Sequence, residues 1–188
     1  MSLFSGISYN FSMFGQRKNM QRFNNILEAL RFAGHRLGHH ENEEGYPALA
    51  QSIEMVSVLH AIGNEAAEKV VMAAALMPVY YYQQAPEEME AVFGPEVMAY
   101  IKKAVTPESL GIPYFQRLSS QKKQTATQAG RKIWLASLAA RMRLLLSASE
   151  ASPLFPDSLQ KDIAYLSTFA GTHPELEAFV EKLQAAFG

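Results

Sequence analysis

An all-α fold follows from three features of this 188-residue sequence. Apolar residues recur at helical spacing over most of the chain, and no stretch alternates apolar and polar residues as a half-buried strand would. Glycines, prolines and capping residues then cut the periodic stretches into helix-sized pieces, eight or nine in all. Hydrophobic residues make up 48% of the chain, which is enough to bury a core and argues against disorder.

Residues 1–19 mix Phe4, Ile7, Phe11 and Phe14 with Gly, Ser and Asn breakers, which predicts an irregular arm ahead of one domain over 20–188. Those aromatic residues can dock on the domain or on a second copy of the chain, so a homodimer is permitted. From Met20 to Leu37 the residues Phe23, Ile26, Leu27, Leu30 and Ala33 share one helix face, and Gly38 ends the helix. The polar run after Gly38 predicts a loop. A second helix covers Ala48 to Ile62, carrying Ile53, Val56, Leu59 and Ile62. Gly63 closes it, and Asn64 can cap a third helix starting at Glu65.

The third helix contains VVMAAALMPVYYYQQ, Val70 to Gln84, apolar on every side and therefore expected at the centre of a bundle. Pro78 lacks a backbone donor and predicts a kink or break near Met77. Pro86 opens a short acidic helix that Gly94 ends, and Pro95 opens another that runs to Val105. Residues 106–118 form a loop. A long helical region over 119–147 is bent near Gly130. Asp157 and the pattern Thr172-His173-Pro174-Glu175 open the last two helices.

Composition removes several functions. Net charge is −1 with no block of Lys or Arg, so neither nucleic acid nor a membrane surface is an expected partner. The chain has no cysteine, which excludes disulfides, thiolate nucleophiles and Cys-based zinc sites and fits a reducing cytoplasm. The longest apolar run, Val70 to Tyr82, falls short of the roughly 18 residues of a membrane span, and the N-terminus lacks a secretory pattern. No G-x-S-x-G elbow or glycine-rich phosphate loop is present.

The order and spacing of several motifs carry more. The frame A-A-x-L-x-x-V over Ala73 to Val79, the segment Gly45-Tyr46-Pro47, the run Glu54, Val56, Leu59, the stretch EEMEAVFGPEVMAYIKKAVT and the stretch S-L-A-A-R-M-R-L over Ser137 to Leu144 all occur in the chain. Together, over residues 20–150, they resemble the HD superfamily of phosphohydrolases, and within it the RelA/SpoT-type enzymes that remove pyrophosphate from the alarmone ppGpp. The resemblance implies an HD-domain-like helical bundle. It also implies where a metal site would stand: a His where this chain has Gln51, the His-Asp pair where it has Met77-Pro78, and an Asp where it has Ala140. The family's Glu-Asp pair, used for water activation, falls on Tyr81-Tyr82, and its basic pair before Gly45 on Asn42 and Glu43. Arg141 is kept, and the family's following His-Asn pair becomes Arg143-Leu144.

An HD site needs imidazole and carboxylate to hold a Mn²⁺-like ion, whereas amide, thioether, proline and alanine offer weak donors or none. All four metal positions differ while the packing frame around them persists. The expectation is a catalytically silent homologue that needs no metal and binds a guanine nucleotide or a protein partner around the former pocket. That pocket comprises Gln51, Met77, Pro78, Tyr81, Tyr82, Ala140, Arg141 and Arg143. Two alternatives stand beside it. One is an active enzyme with a relocated Mn²⁺ site on His35 and His39, spaced i, i+4 and followed by His40, Glu43 and Glu44. The other is a structural interaction protein whose pocket is plugged by Met77, Tyr81 and Tyr82. The tyrosines are expected mainly to fill volume, and Arg141 to pair with a carboxylate such as Glu54.

Overall fold

A helix that is apolar all round needs neighbours on every side, and Glu68–Gln83 has them. In the computed structural model this segment, α3, packs against four other helices. The structure describes residues 5–41, 45–62, 67–83, 85–104, 128–147 and 177–187, though not every side chain within them, that of Arg141 being among those left out. The other helices are α1 (Ser5–Leu37), α2 (Ala48–Ser57), α4 (Pro86–Ala104), α5 (Gln128–Ser147) and α6 (Glu177–Phe187). A single π-helical turn, Val58–Ile62, continues α2. The described residues thus hold six α-helices and no strand beyond an isolated Glu41–Pro47 bridge. The Asn64, Asp157 and Thr172 caps and the 106–118 loop lie outside them.

Each neighbour turns a stripe toward α3 or toward the other helices around it. On α1 the buried residues Ile26, Ala29, Ala33 and Leu37 recur every three or four positions, and alanine at two of them lets the backbones approach closely. On α2 the stripe is Ala48, Gln51, Ser52 and Met55, extended by Val58 and Leu59. On α5 every residue from Ile133 to Ala140 is buried, so this helix too lies inside the bundle. Phe32 on α1 meets Phe93 on α4 edge to face, centroids 5.2 Å apart.

Three expectations about helix boundaries are corrected. The third helix starts at Glu68 rather than Glu65, because Ala67 is not helical and its carbonyl accepts from the Val70 and Val71 N–H groups. Residues 1–19 are not an irregular arm throughout, because α1 is helical from Ser5 onward. Ile7, Phe11 and Phe14 follow one another at four and three residues, a helical rhythm that outweighs the interspersed Gly and Ser. No break occurs at Met77 either, since α3 continues through Pro78 to Gln83. Proline leaves the Ala74 carbonyl without its i+4 donor. Burial of every residue from Val70 to Tyr81 nevertheless holds the segment in place.

The Gly94 expectation holds, in finer form. Its backbone sits at φ 83°, ψ 164°, a conformation that L side chains rarely adopt, and splits α4 into two helical halves. Pro95 contributes by keeping the residue before it out of the helical region.

Candidate functional site

The positions expected to face one another are carried by α2, α3 and α5, and each of these helices packs against the other two. Gln51 lies in the first turn of α2, Met77 and Pro78 near the middle of α3, and Ala140 on α5. All four are interior: Gln51 and Met77 are 2% exposed, Ala140 is fully buried and Pro78 is buried. Among them only Gln51 offers hard donor atoms, and an amide is neutral where an HD centre uses imidazole and carboxylate. The side chains at these positions do not fit a divalent metal.

Gln51 also stands out energetically. Neither its Oε1 nor its Nε2 has a hydrogen-bond partner among the described residues, and the same holds for the hydroxyls of Ser52 and Ser137, both fully buried. Leaving such a group unpaired inside a protein costs about 1–3 kcal/mol. Polar groups are therefore retained at the α2 and α5 positions without the network that would normally justify them.

Tyr81 is 7% exposed, as is Tyr80, and Tyr82 is half-buried. Tyr81 and Tyr82 meet at 4.8 Å with rings nearly perpendicular. Two of the three tyrosines are thus buried, and the third stands at the edge. There His40 lies 5.6 Å from the Tyr82 ring, and its Nδ1 is 3.3 Å from Gln83 Nε2. The loop that carries His40 is closed by the Ala48 N–H donating to the His40 carbonyl at 2.8 Å, and it turns at Gly45, φ 80°. That positive φ explains the glycine of the Gly45-Tyr46-Pro47 segment.

Arg143 is engaged. Its Nη1 donates to Ser57 Oγ at 3.1 Å and lies 3.1 Å from Glu54 Oε2. The geometry toward Glu54 is that of an ion pair rather than an aligned hydrogen bond, for the Glu54 oxygen accepts none. Among the described side chains the guanidinium beside Glu54 is that of Arg143; the side chain of Arg141, expected to pair with Glu54, lies outside them. A signal for this was present in the sequence: Glu54 and Ser57, three residues apart, share a face of α2 and can bracket one cation. Ser52 and Ser137 were not singled out, because a lone serine in an apolar run carries no signature of burial.

His35 lies in the last turn of α1 and His39 in the turn beyond its end, both exposed. His39 is therefore no longer on the helix that would align it with His35. Glu43 and Glu44 lie outside the described residues. Among those described, no three His, Asp or Glu side chains gather closely enough to hold a metal ion, and no helix is long and apolar enough to cross a membrane.

Comparison with known proteins gives the frame a family. Residues 29–152 match the family described as the HD domain. A solved structure described as a metazoan ortholog of SpoT that hydrolyses ppGpp is similar at a TM-score of 0.64 and 19% identity, over 87% of this chain and 96% of that one. No curated protein matches the chain.

Proposed function

From the premise that this chain belongs to the HD domain family, we propose that it is a catalytically silent homologue of the ppGpp-type phosphohydrolases, acting through a protein partner. One observation carries the reading: Gln51, Met77, Pro78 and Ala140, aligned with the metal ligands of the enzymes it resembles, are all buried and none bears a charge. None of the four positions carries the imidazole or carboxylate with which an HD centre holds Mn²⁺. Met77 and Tyr81 fill space where ion and water would sit, which leaves surface rather than pocket as the means of recognition. No cofactor is required.

A second reading rests on the edge of the site. Tyr82, half-buried beside His40, offers an aromatic face on which a guanine base could stack. In this reading the protein holds a guanine nucleotide without hydrolysing it. Arg143 contributes less than its charge implies, being already paired with Glu54.

Thermal-shift titration with ppGpp, with and without Mn²⁺ and against GDP, separates these readings. A ligand at 100 times its dissociation constant stabilises its protein by about 2.7 kcal/mol, an upward shift of several degrees at this size. No shift under any condition supports the protein-partner reading. A metal-free, ppGpp-specific shift replaces it with the nucleotide reading. A shift that needs Mn²⁺ overturns silence and favours a relocated centre.

A further inference from the structure

On the face of α3 opposite Tyr81, a concave pocket of about 410 Å³ opens between α1, α3 and α4. Met72, in its lining, and Tyr81 are nine residues apart, which places them half a revolution from each other around the helix. The pocket is therefore separate from the former metal positions. Its apolar wall is Met72, Val92, Phe93 and Val97, and its polar rim, of about equal extent, is Asn25, Glu28, Glu68 and Lys69.

The charges on the rim are not equivalent. Glu28 pairs with Arg31, Oε1 to Nη1 at 2.5 Å, and Lys69 donates to Glu96. The Glu96 carboxylate holds the Lys69 ammonium above its ordinary range, so Lys69 stays charged and committed to that partner. Glu68 differs. It is half-buried, its Oε1 accepts from the neutral Asn25 Nδ2 at 2.5 Å, and among the described residues no cation pairs with it. The amide fixes one carboxylate oxygen without forming an ion pair, and the charge stands in the first turn of α3, beside a Lys69 that is bridged to Glu96, at the lip of a cavity of mixed polarity.

We propose that this pocket binds a small organic cation, a protonated amine on an aliphatic stem, with the ammonium on Glu68 and the stem against Met72 and Phe93. The volume lies within the range of small-molecule sites. A free anion is disfavoured, because Glu28 and Glu68 both line the cavity and Lys69 is already paired. A neutral apolar molecule would bury the Glu68 carboxylate with the Asn25 amide but no counter-charge, at a desolvation cost.

The probe is cadaverine, titrated calorimetrically into the intact chain at low ionic strength, where a partly exposed ion pair is least screened. The neutral isostere 1,5-pentanediol serves as control. Saturable binding of one cadaverine per chain is expected, with the diol at least about tenfold weaker, and with Glu68→Gln weakening cadaverine by about tenfold, equivalent to 1.4 kcal/mol. The amide oxygen that Glu68→Gln introduces can still accept from Asn25, so this variant keeps the pocket's shape, and an unchanged melting temperature verifies it. Lys103→Ala, on the exposed C-terminal turn of α4 and outside the pocket lining, leaves cadaverine binding unchanged. Equal binding of diol and diamine, an unaffected Glu68→Gln, or no saturable binding at all overturns the proposal. None of these outcomes bears on whether the HD centre is silent.

Discussion

Gln51→Met is the substitution whose outcome follows most directly from the structure. The native side chain is 2% exposed, and both amide atoms lack partners. Methionine keeps an unbranched chain of similar length and removes the two orphaned polar atoms. An unsatisfied buried polar group costs about 1–3 kcal/mol, so the replacement recovers on that order, less a little for the slightly larger thioether. A net gain of about 1–2 kcal/mol raises the melting temperature by about 2–4 °C per kcal/mol for a chain of this size. Urea unfolding is the assay, read as a higher midpoint with an unchanged m-value. A variant less stable than wild type by about 1 kcal/mol or more would refute the reasoning, since it would mean that the amide makes bonds worth keeping. Gln51→Glu supplies the opposite sign. A carboxyl at this position has its folded-state pKa raised by burial above the unfolded value near 4.3. The variant is close to wild type below that pH and loses stability progressively as pH rises, because the folded state then holds the extra proton.

Gly94→Ala should destabilise by about 1–3 kcal/mol in urea melts although the added Cβ meets nothing within 4 Å, because the strain lies wholly in φ 83°, ψ 164°. A double-mutant cycle on Glu54→Ala and Arg143→Ala should return a coupling of about 1 kcal/mol, shrinking with added salt, as befits side chains 26% and 38% exposed. Reinstating donors with Gln51→His, Met77→His, Pro78→Asp and Ala140→Asp together should create Mn²⁺ binding detectable by calorimetry and absent from wild type. Failure of a folded quadruple variant to bind Mn²⁺ would show that the four positions do not converge on one centre.

Much of the fold was legible because its signals are local. Gly38 after a periodic stretch places the end of α1 at Leu37, and the Phe93-Gly94-Pro95 sequence marks the division of α4. The central place of α3 follows from apolarity on every side. Local signals mislead where tertiary packing overrides them. Pro78 reads as a breaker, yet packing on all sides keeps α3 continuous; Gly and Ser before Met20 read as irregular, yet the chain is helical from Ser5. Of the candidate site the sequence offers a set of positions, Gln51, Met77, Pro78 and Ala140, expected from a resemblance of motif order, and the structure buries them on three helices that pack together. The bonding of the site was not legible. That Arg143 meets Glu54 depends on the rotation of α5 about its axis, and the Asn25–Glu68 bond joins residues 43 positions apart. No spacing rule reaches across such distances.

The most direct test of silence is a product assay: wild-type protein with ppGpp and saturating Mn²⁺, with pyrophosphate release followed against a protein-free control. The account predicts release indistinguishable from the control, because none of the four positions can hold the ion that activates water. Metal-dependent release that follows protein concentration, and is lost in His35→Ala/His39→Ala, would contradict it and place the working centre outside α2, α3 and α5.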